Sequence, residues 1–452
     1  MADRTLQSYL AWFGSVSFPL GPRQSVEHSG LPSVPANSRG SFEIGRQGMA
    51  LVRLASARRG DTIKPVVSVR WLVLVWAAGC GRIGFGQGEG GLGDGLGDGG
   101  TVDARTTVGA IVMVAQNDID VACPSLVYDG TTLAVAWRDS RNGSANQEVY
   151  FARYALDGSP VGAELRVTTD PANTGCPALM WTGSRYAIVY EDNRVANNYQ
   201  VFLSNVSATG LKLGGDLQLT TNNGDARGPQ ATWTGAQIGF VYQAFSGSSN
   251  YHMHYALATL AGVTSNDTEI GSMQSVGSTG SVGVTTGGEA VVWYEAGATN
   301  MLHYAFITTT PQLNIALTPS NNGAFVGRPG NVLVGSMQAI AYTTGLTFPG
   351  SLMLTLVEPA TGALSTPRAV VAGYAPSLAW DGAVLGLAAI PGPFFVPLSA
   401  IGQPTDAPLP LSSLGVNEPA VVTLPGGGFA VAWDEFDGVT ASVRLATRIQ
   451  PQ

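Results

Sequence analysis

The chain has 452 residues, 23 of them basic and 31 acidic, so that 12% are charged and the formal charge is −8. That is about half the charged share usual for a globular chain, which excludes a histone-like binder of nucleic acid and a polyelectrolyte tail. With 45% hydrophobic residues and 59 glycines, the chain can bury a large core and is built for many tight turns, so disorder over the whole length is excluded as well.

Residues 1–79 hold nine Arg and Lys against four Asp and Glu, and the remainder is acidic. Residues 1–65 are rich in Ser, Pro and Arg without sustained periodicity, and read as a disordered leader. A translation start near Met49, or at Val66, Val67 or Val69, would make that leader artefactual. Residues 66–80 follow Lys64 and include Arg70, an apolar run from Trp71 to Gly79, and then Cys80. The run falls short of the roughly 18–20 residues that span a bilayer; a basic flank, a short apolar core and small residues make the layout of a secretory signal.

Ala77-Ala78-Gly79-Cys80 resembles the processing box of bacterial lipoproteins, departing from it at Ala77, where that family prefers Leu. The resemblance implies cleavage before Cys80, lipidation of Cys80, and a place in the cell envelope, anchored to the outer membrane. Ordinary secretion, or a buried strand with a chance cysteine, are the alternatives. Residues 81–107 contain GFGQGEGGLGDGLGDGG and read as a flexible Gly/Asp-rich tether. A phosphate-binding loop would need a flanking strand and helix, which the tether lacks.

From residue 108 one pattern recurs: a Pro, an apolar stretch closing in a Gly turn, a second apolar stretch ending in an aromatic, and a third alternating stretch. The repeat prolines are Pro124, Pro177, Pro229, Pro329, Pro376 and Pro419, with Val282 in the missing place, spaced by 53, 52, 53, 47, 47 and 43 residues. The first repeat gives strands near 124–128, 132–138, 147–154 and 164–168, with a turn at Asp157-Gly158 that returns at Gly210, Gly262 and Gly362. Four strands per unit of this length mark a β-propeller blade. The seventh copy stops after its third strand, whereas Gly109 to Asp118 precedes the first copy and looks like a fourth. The predicted fold is therefore all-β, a seven-bladed propeller over 108–452 closed by an N-terminal strand that finishes the last blade and removes an exposed edge.

Two residues beyond the aromatic of each second strand stand Asp139, Asp192, Ala244, Glu295, Thr344, Pro391 and Glu435, and Arg141 and Arg194 follow the first two acids. Asp139, Arg141, Asp192, Arg194 and Glu435 are the candidate ligand-binding residues, because blades seven, one and two adjoin in a closed ring. They would form a shallow polar patch, able at most to hold Ca2+, since hard cations need several oxygens. The competing reading is that each Asp and Arg satisfies its own turn. His254 and His303 occupy the register of Tyr150 and Phe202, which favours packing over metal binding, and no metal site or other cofactor is predicted.

Cys123 and Cys176 share a register in neighbouring blades and would either pair in an oxidising compartment or remain two buried thiols. Trp137, Tyr190, Tyr242, Trp293, Tyr342 and Trp433 are expected to pack between blades rather than to form a carbohydrate platform. CxxC, HExxH and GxSxG are absent from the sequence.

Residues 108–452 resemble the seven-bladed propellers of bacterial envelope and secreted proteins that repeat "aromatic, x, Asp, x, Arg" after the second strand; only blades one and two keep that form, and blades five and six lack it. The expectation is a monomeric, surface-tethered binding or scaffold module, non-catalytic, meeting a protein or glycan through rim loops, with no nucleic-acid partner and membrane contact only through the lipid. The alternative is a secreted polysaccharide-acting enzyme, a glycoside hydrolase or lyase using the rim carboxylates.

Overall fold

The computed structural model describes residues 106–245, 251–272, 280–295, 301–308, 311–319, 328–345, 350–414 and 419–451. The expected leader, the signal with Cys80 and nearly all of the tether lie outside the described residues. Within them the chain forms seven antiparallel sheets and no helix.

Blade one is the meander Val121–Tyr128, Leu133–Asp139, Glu148–Tyr154 and Leu165–Arg166. Five more four-stranded meanders follow, ending with Leu409–Pro410 in blade six. Blade seven has only Ala420–Thr423, Phe429–Phe436 and Ala441–Gln450 in sequence. Its outer position is filled from the other end of the chain. Ile111–Asn117 pairs antiparallel with the last strand, Ile111 opposite Ala446 and Asn117 opposite Ala441, and Thr107–Val108 continues the pairing to Gln450 and Ile449. The seven blades and the borrowed closing strand are as the repeat predicts.

First strands of successive blades contact one another all the way round, so they line the axis. The buried apolar side chains fall into seven clusters among the described residues, each between two consecutive blades. The cluster joining blade seven to blade one brings Ala430, Ala432 and Leu445 against Leu133, Val135 and Trp137. Every second strand is thus covered on both faces, and it reads as an apolar run rather than a clean alternation.

A finer rule sits inside that run. In blade one Leu133, Val135 and Trp137 face blade seven, while Ala134 and Ala136 face blade two. In blade two Tyr186, Ile188 and Tyr190 face backward and Ala187 and Val189 forward. Blade seven repeats it with Phe429, Val431 and Trp433 against Ala430 and Ala432. Bulky residues of one blade therefore enter the shallow face left by small residues of the blade before. The closing aromatics Trp137, Tyr190, Tyr242 and Trp293 are all 0% exposed, and full burial of each contributes about 2–3 kcal/mol.

The repeat proline has a structural reason on the axial strand. The strand register shifts between Ala122 and Ser125, Arg227 and Gln230, and Tyr374 and Ser377. The residue before proline there, Cys123, Gly228 or Ala375, has φ of 57°, 58° or 51°. A proline has no N–H to give to a ladder, and the bulge places it where none is required. That bulge also explains why the first strand of blade one begins at Val121 rather than near 124. The fourth strand is shorter than expected because the N–H groups of Val167 and Thr168 both turn onto the single Val149 carbonyl. At the turn after the third strand, Gly158 has φ 89°, and a Cβ there would lie 2.7 Å from Val112 of blade seven.

Candidate functional site

The loops between second and third strands and the connections between blades share one face of the ring, and the predicted residues lie on it. Asp139 ends the second strand of blade one and is 0% exposed. It accepts hydrogen bonds from Trp137 Nε1 at 3.1 Å, Asn117 Nδ2 at 2.7 Å, the Arg141 backbone N–H at 2.8 Å and the Arg141 guanidinium at 2.5 Å. Arg141 also reaches Glu164 at 2.6 Å and lies over the Tyr150 ring, 4.2 Å from its centroid.

Blade two repeats the arrangement: Arg194 bonds Asp192 at 2.5 Å and Asp216 at 2.8 Å, with Phe202 beneath it at 4.7 Å. Burial alone would lower both guanidinium pKa values, but the carboxylates on either side more than offset it and raise them. In each case the pair of acids holds the arginine charged across the whole accessible pH range.

Glu435 of blade seven lacks a following arginine and takes its cation from the neighbouring strand: Arg444 Nε donates to it at 2.7 Å, Trp433 Nε1 at 3.2 Å and Ser412 Oγ at 2.8 Å. Burial pushes its carboxyl up, but those donors outweigh burial and hold it below the usual carboxylate value. The three acids thus occupy equivalent places in adjoining blades. Among the described residues no hydrogen bond or ion pair joins one of them to another. Asn117 and Ser412 show what Asp139 and Glu435 do locally: each fastens an incoming interblade connection to the end of its second strand, whereas the Asp192 carboxylate bonds Arg194 of its own blade.

Blades three and four carry the same pairing in a form not evident from the sequence. Opposite the buried aromatic, the third strand presents Tyr150, Phe202, His254, His303, Met353 and Arg444 in blades one to five and seven. His303 Nε2 lies 3.0 Å from Glu295, and its ring stacks on Trp293 at 5.2 Å. Burial outweighs Glu295 and holds the imidazole below its ordinary pKa. His254 Nδ1 lies 2.9 Å from Asp267, which also accepts the Tyr242 hydroxyl at 2.6 Å. The histidines are packed as expected, and each is also half of a polar pair. Among the described residues no group of three or more His, Cys, Asp or Glu is placed to share a metal ion.

A second cluster on this face was not singled out by the repeat. Glu191, one residue past the aromatic of blade two, accepts the Gly228 N–H freed by the bulge of blade three and lies 3.7 Å from Arg227. Arg227 in turn lies over Tyr199, 3.9 Å from the ring centroid. Burial pushes the Glu191 carboxyl up, and Arg227 and the Gly228 N–H only partly offset it. The sequence signal was the x-Pro bulge itself, since a bulged axial strand leaves an N–H for a neighbouring blade to satisfy. Beside this cluster, Cys123 and Cys176 form a disulfide with Cα atoms 5.4 Å apart, joining the axial edges of blades one and two.

A cleft of about 840 Å³ opens on the same face between blades two and three, among Asn198, Asn223, Asp225, Tyr251, His252 and Glu269. Nothing in the repeat pattern marked it, because its walls come from connections that differ between blades.

No protein-family model matches the chain, and no curated protein does. Among solved structures it is similar to the Trypanosoma rangeli sialidase, at 8% identity and a TM-score of 0.45, over 73% of this chain and 54% of that one. It is similar to the Hadza microbial sialidase Hz136 at 9% identity and a TM-score of 0.45, over 65% and 66% of the two chains. It is also similar to the β-propeller domain of Cps50 (Swd1) from Myceliophteria thermophila, at 10% identity and a TM-score of 0.47, over 75% and 99%. The chain therefore spans about half the length of the trypanosomal sialidase, and at these identities the likeness concerns the fold alone.

Proposed function

We propose that this chain is a non-catalytic binding or scaffold propeller, held at the bacterial outer membrane by a lipid on Cys80 and the tether over 81–107. It presents the face bearing the loops between second and third strands to a protein or glycan. The observation that supports this reading most is the commitment of the rim acids: Asp139, Asp192 and Glu435 are buried, and each bonds an arginine. A pair of carboxyls for glycoside hydrolysis would stand roughly 5–10 Å apart with the substrate between them. Acids that brace their own blades are spent on structure and leave the face for recognition.

The alternative, a secreted polysaccharide-acting enzyme, has one observation in its favour. Glu191 has a raised carboxyl pKa beside Arg227, and shifted groups gather at catalytic sites. Metabolic labelling with a lipid precursor, in wild type and Cys80→Ser, followed by crosslinked pull-down at the cell surface, tests the proposal. Label lost in Cys80→Ser together with a captured partner supports it; label retained in Cys80→Ser overturns the tether. Reducing ends released from polysaccharide by wild type but not by Glu191→Gln would overturn the non-catalytic reading.

A further inference from the structure

We propose that the cleft between blades two and three binds a neutral, hydroxyl-rich saccharide. This rests on the reading of the chain as a binding propeller and selects a glycan as what the face recognises.

The cleft has the volume of a small-molecule site, which runs to about 300–1,000 Å³, but its lining is polar. Asn198 and Asn223 stand on the blade-two side, and Tyr251, His252 and Glu269 on the blade-three side. Side-chain amides offer a donor and an acceptor in one plane, which matches sugar hydroxyls that also donate and accept. Tyr251 pairs with Phe245, ring centroids 5.3 Å apart, at the border of the cleft. Tyr251 is buried behind the half-buried Phe245 ring, which supplies the apolar surface for the C–H face of a pyranose.

The blade-two wall is fixed before any ligand arrives. Gln200, 1% exposed, donates to the Asn222 and Gly224 carbonyls at 3.1 and 2.9 Å. Its Oε1 accepts the Asn222 N–H at 3.0 Å and the Thr220 hydroxyl at 2.9 Å. Asp225 accepts the Tyr199 N–H at 2.9 Å. These bonds pin the backbone of the connection at Asn222 and Gly224 and leave the Asn223 side chain exposed, so little backbone ordering remains to oppose binding.

Charge narrows the class. Asp225 and Glu269 line the cleft, and neither Lys nor Arg is among the described residues that do. His252 Nδ1 lies 2.7 Å from Glu269 and His254 Nδ1 2.9 Å from Asp267, so each imidazole already has a carboxylate neighbour. A uronate or another acidic sugar would meet like charge, whereas a neutral saccharide meets acceptors for its hydroxyls.

Calorimetric titration of the full chain with neutral gluco-, galacto- and manno-configured tetrasaccharides, and with a galacturonic acid tetrasaccharide, tests the proposal. At least one neutral tetrasaccharide is expected to bind. The double variant Asn223→Ala/Glu269→Gln should weaken it by about tenfold with an unchanged thermal midpoint, since both side chains are exposed. Asp139→Asn should bind as wild type does. Binding of none of the neutral sugars, tighter binding of the acidic one, or unchanged affinity in the double variant would each overturn the cleft assignment. Unchanged affinity would still leave a glycan-binding propeller. No sugar bound, but a protein captured at the cell surface, would overturn the cleft and keep the binding reading; turnover of a sugar would overturn the binding reading itself.

Discussion

Replacing Asp139 by alanine separates a structural acid from a functional one. The carboxylate is 0% exposed and holds Trp137 Nε1, Asn117 Nδ2 and Arg141. Its removal leaves the buried indole N–H without an acceptor, which costs about 1–3 kcal/mol. Loss of the Asn117 bond, which ties the closing strand to blade one, adds about 1 kcal/mol. Arg141 is 34% exposed on its side chain, so water recovers much of its charge and the ion pair itself adds little. The sum, about 3 kcal/mol, corresponds to a fall of roughly 4 °C in thermal midpoint for a domain of this size. Near-UV circular dichroism during heating reads it directly, because Trp137 is in the affected cluster. Arg141→Ala should lower the midpoint less than Asp139→Ala. A midpoint unchanged in Asp139→Ala, with loss of ligand binding or of turnover, would refute the bracing role.

Three further perturbations probe other parts of the ring. Gly386→Ala puts a Cβ 2.6 Å from the Phe429 ring, and overpacking there should destabilise by about 1–3 kcal/mol in chemical denaturation; an unaltered midpoint would contradict the small-face rule. Removing the disulfide in Cys123→Ser/Cys176→Ser frees a loop of sequence separation 53 and should cost about 4 kcal/mol on the chain-entropy scale, matched by wild type under reductant in the same melt. Glu435 and Glu191 should give opposite pH slopes. Glu435 is held below the ordinary 4.5, so its stabilisation is full above that value and is lost as pH falls through the folded-state pKa. Glu191 is held above 4.5, so its ionisation weighs against the fold as pH rises from there through the folded-state pKa. Thermal midpoints from about pH 3 to 8 should show the acid-side loss diminished in Glu435→Gln and a relative gain at neutral pH in Glu191→Gln.

The architecture was legible because each blade repeats a local pattern: turn glycines such as Gly158, an aromatic such as Trp137 closing the second strand, and a proline on the axial strand. Ring closure was legible from the missing fourth strand after Ala441–Gln450 and the spare one at Ile111–Asn117. The partners of the rim acids were only half legible. Arg141 and Arg194 follow their acids closely in sequence, whereas Arg444 meets Glu435, and His254 meets Asp267, across strands. Such pairings depend on hairpin length and on bulges, which shift register without altering composition. Glu191 and Gly228 come together only because a bulge frees one N–H, and the cleft beside them is walled by connections unique to blades two and three.

The placement of every rim residue follows from closure of blade seven by the N-terminal strand. In a Cys80→Ser background, Gln116→Cys/Ser442→Cys puts two thiols at facing positions of that pairing. Gln116→Cys/Leu445→Cys puts them out of register, since Leu445 faces Val112. Closure predicts that mild oxidation links the first pair in the monomer, seen by peptide mapping, and leaves the second unlinked. An unlinked first pair, or equal linkage in both, would contradict it.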